Sequence, residues 1–465
     1  MASKEVRSRT NSPSSQERTK YFYVPEEVIE EILAHLPIKN AACLSILSKR
    51  FVNSWKLCRD LSFTKEISRK FSKEEFVKFI NNFMLNFSDK NMHRFSLYFD
   101  PTDQIDLVQN WVHKAIQCGI TELELDFTVA EQTYMLSFFL TNIENLKLLK
   151  LNKCELDFIP TPDGSCPLQQ ITLQNVRVPS FTLEAIFSNC LKLRTLELTN
   201  CEFLYNLKIL AQDLKGFTVL VVKNCTGLLL MRINAPSLHS IHYEGKMCEF
   251  KFESDLPDLS DVVLNITSPR AFQLLPHRNN VINALANVTT LAVNHTFLEA
   301  LCARFGKHGY EGMDFLLWKL KEFQLFVGGD SHINPLDIAI FLKKCPCVER
   351  VLIDLGKYAF AESVFWEHHG KNFFMSFGPT FPFLGYVKIK GFTLKGMHVS
   401  MARLFLKNAP YLRSLEIVGA RNDMDTVRIT PEWIARGIWT NAKIEIHEYI
   451  KDKSGIFPSV RSKVI

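Results

Sequence analysis

Apolar residues recur at spacings of three and four close to the N-terminus, which predicts an amphipathic helix. The members of this stripe are Ile29, Ile32, Leu33 and Leu36. Pro25 precedes the stripe, where its missing N–H is harmless, and Pro37 ends it. The pattern that follows predicts a second helix capped by Asn40 and a third over residues 48–55. Three helices this short cannot enclose a core, so we expect a partner or the rest of the chain to cover their apolar faces.

A different period, Leu-x-x-Leu-x-Leu, dominates the middle of the chain, most clearly in residues 145–154, 167–176 and 191–201. Each copy offers two side chains to one face of a strand, because successive side chains on a strand alternate between faces. These pairs are Leu123/Leu125, Leu149/Leu151, Ile171/Leu173, Leu196/Leu198, Leu220/Val222, Ile241/Tyr243, Val262/Leu264, Leu291/Val293, Phe323/Leu325, Val351/Ile353, Val387/Ile389 and Leu415/Ile417. The early pairs recur within the roughly 20–29 residues of leucine-rich repeats, and the later copies are longer and more irregular.

The repeats predict a solenoid, because one strand cannot bury its apolar face alone and stacked neighbours supply the missing surface. Two outer helices are predicted, over 72–87 with a Ser72–Glu75 capping box and over 103–119 with Gly119 as its end. The predicted fold class is α/β. An N-terminal three-helix module precedes a leucine-rich-repeat solenoid with parallel strands on the concave face and helices or loops outside.

The sequence of the N-terminal helical module resembles a known motif, which is more specific than helical periodicity alone. Its two prolines, its aliphatic stripe and the run from Leu47 to Arg50 resemble the F-box, the motif that grips the Skp-type adaptor of a cullin-based ubiquitin ligase. Val24 and Phe51 depart from the family pattern, which has leucine and tryptophan there, but both keep an apolar group. The resemblance implies docking to the adaptor and, through it, to a cullin. The residues expected to bind the adaptor are Pro25, Ile29, Ile32, Leu33, Leu36, Pro37, Leu44, Leu47 and Trp55.

The resemblance extends along most of the chain. A helix, a glycine and a Leu-x-Leu-x-Phe strand over residues 103–127 resemble the early repeats of plant F-box/leucine-rich-repeat proteins. Residues 397–419 are similar to the FBD segment of that family, in which a helix precedes a final strand. The expected organisation is a disordered basic tail (1–20), the F-box (21–60), connecting helices with a first repeat (61–120), the solenoid (121–420, with the FBD-like segment at about 380–420) and a C-terminal extension (421–465).

Composition and charge limit which kinds of partner and which cellular compartment are expected. Of the 465 residues, 47% are hydrophobic and 22% charged, which is typical of a globular body. The formal charge of +6 is modest and makes nucleic acid an unlikely partner. The sequence has neither a secretory signal nor the run of about 18 apolar residues that spans a membrane, so we expect no membrane association and a nuclear and/or cytoplasmic location. The 12 cysteines follow no framework spacing, and we expect reduced thiols, with Cys154, Cys201 and Cys225 packed inward.

The sequence contains no recognisable catalytic or metal-binding motif. Cys345 and Cys347 lack both the C-x-x-C spacing and further ligands, and their segment predicts a helix end before a repeat strand. We therefore expect no enzyme activity, no catalytic residue, no metal and no cofactor.

The residue between the two inward positions of each strand should point to the concave face. We expect a target protein to contact this row at Glu124, Lys150, Glu197, His242, Gln324, Lys388 and Glu416. The row mixes charge signs and has small apolar residues toward its middle, which favours a protein partner. The predicted function is that of a substrate-recognition subunit of a cullin–Skp–F-box ubiquitin ligase. The alternatives are a non-degradative scaffold and a small-ligand sensor of the hormone-receptor type.

Overall fold

The protein divides into two compact units, Met1–Leu61 and Ser62–Ile465. The computed structural model describes residues 25–36, 38–47, 58–86, 92–135, 143–156, 160, 165–267, 278–302, 315–328, 333, 335–356, 380–394, 396–421 and 430–449. The predicted tail (1–20), the predicted third helix (48–55), and the residues Val24, Pro37 and Trp55 lie outside this part of the chain.

Two helices, α1 (Glu26–Ala34) and α2 (Ile38–Leu47), are described in the first unit. Pro25 occupies the N-cap position of α1, so the predicted start is confirmed. The predicted cap of α2 was wrong. This helix begins at Ile38, and Asn40 lies in its first turn because the helix starts directly after Pro37.

The remaining helices belong to the second unit. They are α3 (Lys65–Ser68), α4 (Lys73–Asn86), α5 (Ile105–Gln117), α6 (Ser180–Asn189), α7 (Arg278–Ala284), α8 (His295–Cys302), α9 (Pro335–Lys343), α10 (Gly396–Asn408) and α11 (Pro431–Ala435), with a 3₁₀ turn at Leu285–Asn287.

Both outer helices predicted from the sequence are present, as α4 and α5. At α4, the backbone N–H of Ser72 donates to Glu75 Oε2 (2.9 Å) and the N–H of Glu75 donates to Ser72 Oγ (3.3 Å), which confirms the capping box. Gly119 follows Cys118, the C-cap residue of α5, and has φ +79°, as is typical of a helix-ending glycine.

Twenty strands are described. They are β1 (Asp60–Phe63), β2 (Arg94–Tyr98), β3 (Glu122–Asp126), β4 (Tyr134–Met135), β5 (Leu148–Asn152), β6 (Cys154–Glu155), β7 (Gln170–Gln174), β8 (Thr195–Thr199), β9 (Asn206–Leu210), β10 (Val219–Lys223), β11 (Leu230–Asn234), β12 (Ser240–Gly245), β13 (Glu249–Phe252), β14 (Asp261–Ile266), β15 (Thr290–Asn294), β16 (Glu322–Phe326), β17 (Arg350–Asp354), β18 (Tyr386–Phe392), β19 (Ser414–Gly419) and β20 (Lys443–His447).

Fifteen of the described strands form one long sheet in the order β1-β2-β3-β5-β7-β8-β10-β12-β14-β15-β16-β17-β18-β19-β20. From β2 to β20, neighbouring strands pair in parallel. Every predicted inward pair lies in register with the pair on the next strand, and all of these side chains are buried. The predicted α/β class and the parallel repeat sheet are therefore confirmed.

The sheet extends beyond the twelve strands predicted from the inward pairs. At its first end it also includes β1 and β2, and β2 lies within the segment (61–120) that was expected to hold connecting helices and a first repeat. The prediction that the strand after the FBD-like helix is the last one was wrong, because β20 pairs with β19 beyond it. A smaller parallel sheet, β13-β11-β9, lies in the return segments, and Phe250 on β13 packs edge-on against Tyr243 on β12.

A left-handed residue follows each of four consecutive strands and turns the chain out of the sheet. These residues are Lys153, Asn175, Asn200 and Asn224, with φ between +51° and +58°. Cysteine then follows at 154, 201 and 225, and all three thiols are buried, as expected. The thiol of Cys201, for example, donates to the carbonyl oxygen of Leu173 (3.5 Å).

Among the described residues, no helix is long and apolar enough to cross a bilayer. The same part of the chain contains no group of three or more side chains arranged to hold a metal ion.

Candidate functional site

Helix α1 divides its apolar side chains between a buried and an exposed face. Leu33 and Ala34 are buried, whereas Ile29 and Leu36 are half-buried. Val28 is 47% exposed and Ile32 is 55% exposed. Because residues four apart lie on one face of a helix, these two form a small apolar patch that opens to solvent.

The C-terminal end of α1 is bound by Cys58 and Arg59 of the same unit. The thiol of Cys58 donates to the carbonyl oxygen of Leu33 (3.8 Å), and the N–H of Arg59 donates to the carbonyl oxygen of Ala34 (3.1 Å). Arg59 also forms an ion pair with Glu31 (Nη2–Oε2, 3.2 Å). Burial, with the Asp60 carboxylate as a second cause, raises the pKa of the Cys58 thiol to about 11, so this thiol is protonated at neutral pH.

The structure thus separates the residues that the sequence grouped as one docking stripe. Two of them, Pro25 and Ile32, are exposed to solvent, and Ile29 and Leu36 are half-buried. Leu33 is buried. Leu44 and Leu47 lie on α2. Pro37 and Trp55 lie outside the described residues. Val28 was missed, although its spacing of four residues from Ile32 is visible in the sequence.

On the repeat sheet, the central residues of successive strands form one continuous row through parallel pairing. The row runs Ser96, Glu124, Lys150, Thr172, Glu197, Val221, His242, Val263, Ala292, Gln324, Leu352, Lys388, Glu416 and Glu445. This is the row in which the sequence placed the target contacts.

Three charged residues early in the row, Glu124, Lys150 and Glu197, are partly accessible. Glu124 binds Lys150 (Oε1–Nζ, 2.6 Å) and Arg94 (Oε2–Nη2, 2.5 Å) across two strand gaps. Burial acts to raise the pKa of Glu124, but its hydrogen bonds to Lys150 and Arg94 and their positive charges lower it below its ordinary value. Glu197, at the same position on β8, is partly exposed.

The middle of the row is closed, contrary to the expectation of an open concave face. Val221, Val263, Ala292 and Leu352 are buried, and Gln324 is 0% exposed. Strand burial changes accordingly, from alternating in β3–β8 to continuous across the centre of β14–β17. The structure therefore does not offer Gln324 to a partner.

His242 is the exception in this stretch, because its ring is partly accessible. Burial, together with the charge of Lys223, lowers the pKa of His242 to about 4, so the ring is neutral at physiological pH.

At the C-terminal end, the charged side chains bind one another. The buried Lys388 forms an ion pair with Glu416 (Nζ–Oε1, 2.9 Å), and the hydroxyl of Tyr386 also donates to the Glu416 carboxylate. His447 on β20 lies 3.9 Å from the same carboxylate. Lys388 and Glu416 thus hold β18 and β19 together, and target binding by Glu124, Lys150, Glu197, His242, Lys388 and Glu416 stays a prediction.

Both parts of the chain, the N-terminal helices and the repeat sheet, are similar to known protein families. Residues 24–62 match the F-box domain, and residues 83–450 match a family model described as At1g61320/AtMIF1, LRR domain. The FBD-associated F-box protein At1g61320 of Arabidopsis thaliana is 30% identical over 437 residues, which cover 90% of this chain and 94% of that protein. The putative FBD-associated F-box protein At1g61330 is 29% identical over 430 residues (90% and 96%). F-box/LRR-repeat protein 13 is 24% identical over 440 residues (85% and 88%). The two latter proteins are also from Arabidopsis thaliana.

Proposed function

The chain belongs to the FBD-associated family of F-box/leucine-rich-repeat proteins, and from that membership we propose that it is the substrate receptor of a cullin–Skp–F-box ubiquitin ligase. A general role as a substrate adaptor follows from the F-box and the repeat domain. The proposal adds the particular partners: a Skp-type adaptor on the F-box and a target protein on the repeat unit.

The observation that carries the proposal is the apolar patch of Val28 and Ile32 on α1. Both side chains are aliphatic and roughly half exposed, and they lie within the segment that matches the F-box. Complete burial of an exposed aliphatic side chain contributes about 1.5–3 kcal/mol, so these two half-exposed side chains each gain roughly half of that when a partner covers them. Glu27, Glu30 and Glu31 on the same helix are exposed, and Glu31 lies next to the patch.

Such a receptor contributes proximity rather than chemistry. By holding the target and the adaptor on one chain, it raises the effective concentration of target lysines near the conjugating enzyme. No covalent intermediate forms on this protein in the proposed mechanism.

Binding of purified Skp-type adaptor, measured by calorimetry, tests the docking face. We expect Val28→Asp and Ile32→Asp to weaken binding at least about tenfold, because a buried unpaired charge costs more than 1.4 kcal/mol. Val129→Asp is the matched control, because Val129 is exposed to the same extent (48% against 47% for Val28) but lies in the repeat unit. Unchanged binding by both α1 variants, or no binding by the wild-type chain, would refute the proposal.

Degradation and scaffolding differ in what happens to the captured protein. In cells that express Ile32→Asp in place of the wild type, a degraded target accumulates, whereas a scaffolded partner keeps its abundance and stays bound. Proximity labelling combined with protein half-life measurements distinguishes the two outcomes.

A further inference from the structure

Large aromatic side chains are exposed along one edge of the long sheet, in the turns that lead into its late strands. Trp318 precedes β16 and is 60% exposed, and Phe383 precedes β18 and is 61% exposed. The turns before β16, β17 and β18 are held side by side, because the carbonyl of Lys321 accepts the N–H of Glu349 and the carbonyl of Glu349 accepts the N–H of Gly385. The turns that carry the two aromatic residues are therefore separated by a single strand, and both residues line the same edge of the sheet.

These turns enclose a groove of about 450 Å³, which we call the edge groove. It is defined by Trp318, Lys319, Lys321, Cys347, Glu349 and Phe383. A volume of this size holds a few side chains of a bound segment. Exposed aromatic residues around a groove are the residues that most often dominate the binding energy of protein interfaces.

The rim of the edge groove carries an excess of positive charge. Lys321 forms an ion pair with Glu349 (Nζ–Oε1, 2.9 Å). The ammonium group of Lys319 donates to the amide oxygen of Asn287 (2.7 Å), which is uncharged. No carboxylate in the described part of the chain forms an ion pair with Lys319, so its charge is available to an acidic group.

The concave face of these repeats is closed. Val263, Ala292, Gln324 and Leu352, on β14–β17, are all buried, whereas the edge groove of the same repeats is open. In these repeats, the residues of the edge groove are accessible to a partner and the central residues of the strands are not.

We propose that the edge groove binds an extended segment of a target protein through one large apolar side chain next to an acidic residue. The apolar side chain packs against Trp318 and Phe383, and the carboxylate pairs with Lys319. This inference rests on the proposed receptor function and specifies where, and by what chemistry, the target is recognised. With only two lysines and one glutamate at its rim, the groove does not fit the phosphate backbone of a nucleic acid.

The test starts from the full-length protein and a phage-displayed library of random peptides. We expect the enriched peptides to share an aromatic or large aliphatic residue beside Asp or Glu. Fluorescence anisotropy with one such peptide then measures affinity for the variants. Trp318→Ala and Phe383→Ala should each weaken binding at least about tenfold, as expected of interface hot spots. Lys319→Glu should weaken binding of the acidic peptide but not of its Asp→Asn or Glu→Gln analogue.

Trp439→Ala is the matched control, because Trp439 is 91% exposed in the turn before β20 but does not line the groove. The inference is overturned if no peptide is enriched, if the enriched peptides lack an acidic residue, or if Trp318→Ala and Trp439→Ala have equal effects. It is also overturned if the groove instead mediates contact between two copies of the chain, which sedimentation of the wild type and Trp318→Ala reveals.

Adaptor binding, measured on the same variants, keeps the two proposals apart. Loss of peptide binding with intact adaptor binding supports the inference. Intact adaptor binding without any effect of Trp318→Ala or Phe383→Ala overturns the inference alone. Absence of adaptor binding by the wild type overturns the receptor function, on which the inference rests.

Discussion

At the scale of single residues, the left-handed turns that follow β5, β7, β8 and β10 are sensitive to substitution. Asn175 has φ +51°, and its side chain donates to Asn152 Oδ1 (2.8 Å) and accepts from the Nδ2 of Asn200 (3.1 Å). Asparagine tolerates this backbone conformation, whereas a β-branched residue does not. The resulting amide ladder links three neighbouring repeats.

We expect Asn175→Val to lower the free energy of unfolding by about 2 kcal/mol or more, because it adds backbone strain to the loss of two hydrogen bonds. Asn175→Gly loses the hydrogen bonds but adopts positive φ freely, so it should cost about 1 kcal/mol. Urea unfolding followed by circular dichroism measures both. Equal destabilisation by the two variants would show that strain at this position is unimportant.

The ion pairs of Glu124 predict a pH dependence. Despite burial, hydrogen bonds to Lys150 and Arg94 lower the pKa of Glu124 below the ordinary value of 4.5. A lowered folded-state pKa stabilises the protein fully above the unfolded-state pKa, and this stabilisation disappears as the pH falls through the folded-state pKa.

We therefore expect Glu124→Gln to lower the melting temperature at pH 7, and the difference from wild type to shrink once the pH falls below 4.5. Glu197→Gln is the control, because Glu197 holds the same strand position but has no ion pair among the described residues. A difference that stays constant down to pH 3 would contradict this account.

At the scale of secondary-structure elements, the sequence pattern predicted a strand wherever the alternation within that strand decides which side chains are buried. The Leu-x-Leu pairs predicted twelve strands because alternation alone decides which side chains point inward. Strand β20 was missed, although Ile444 and Ile446 alternate with polar residues in the same way. The closed centre of the concave row, as at Gln324, was not predictable, because alternation does not encode what packs on a strand from outside the repeat.

The first helix–sheet contact of the second unit depends on one aromatic residue of β1. The ring of Phe63 is buried and lies 6.0–6.3 Å, centroid to centroid, from the rings of Phe76, Phe79, Phe83 and Phe95. Edge-on aromatic packing of this kind adds to the energy of burial.

We expect Phe63→Ala to lower the free energy of unfolding by about 3–5 kcal/mol through the cavity it leaves between α4 and β2. Phe71→Ala is the control: its ring also packs on Phe79, at 5.0 Å, but Phe71 is 37% exposed, so less buried area is lost and the cost should be smaller than for Phe63→Ala. Chemical denaturation of both variants measures the difference. A similar loss in both would mean that Phe63 does not anchor this end of the sheet.

At the scale of the whole molecule, the long parallel sheet suggests that stability is distributed along the chain. Among the described strands of this sheet, each one from β2 to β19 pairs only with its two neighbours. In such an array, stability approximates a sum of repeat and nearest-neighbour terms, so local damage spreads only a short distance. Leu198 on β8 and Ile417 on β19 are both fully buried, and they lie far apart in the strand order.

We expect Leu198→Ala to cost about 2–5 kcal/mol and to accelerate amide hydrogen exchange mainly in β7, β8 and β10. Ile417→Ala should produce the mirror result, with faster exchange in β18, β19 and β20 and little change in the early strands. Mass spectrometry of native-state exchange resolves these segments and compares the two variants directly. If either substitution accelerates exchange equally along the entire sheet, the repeats unfold as one cooperative unit and the nearest-neighbour description is wrong.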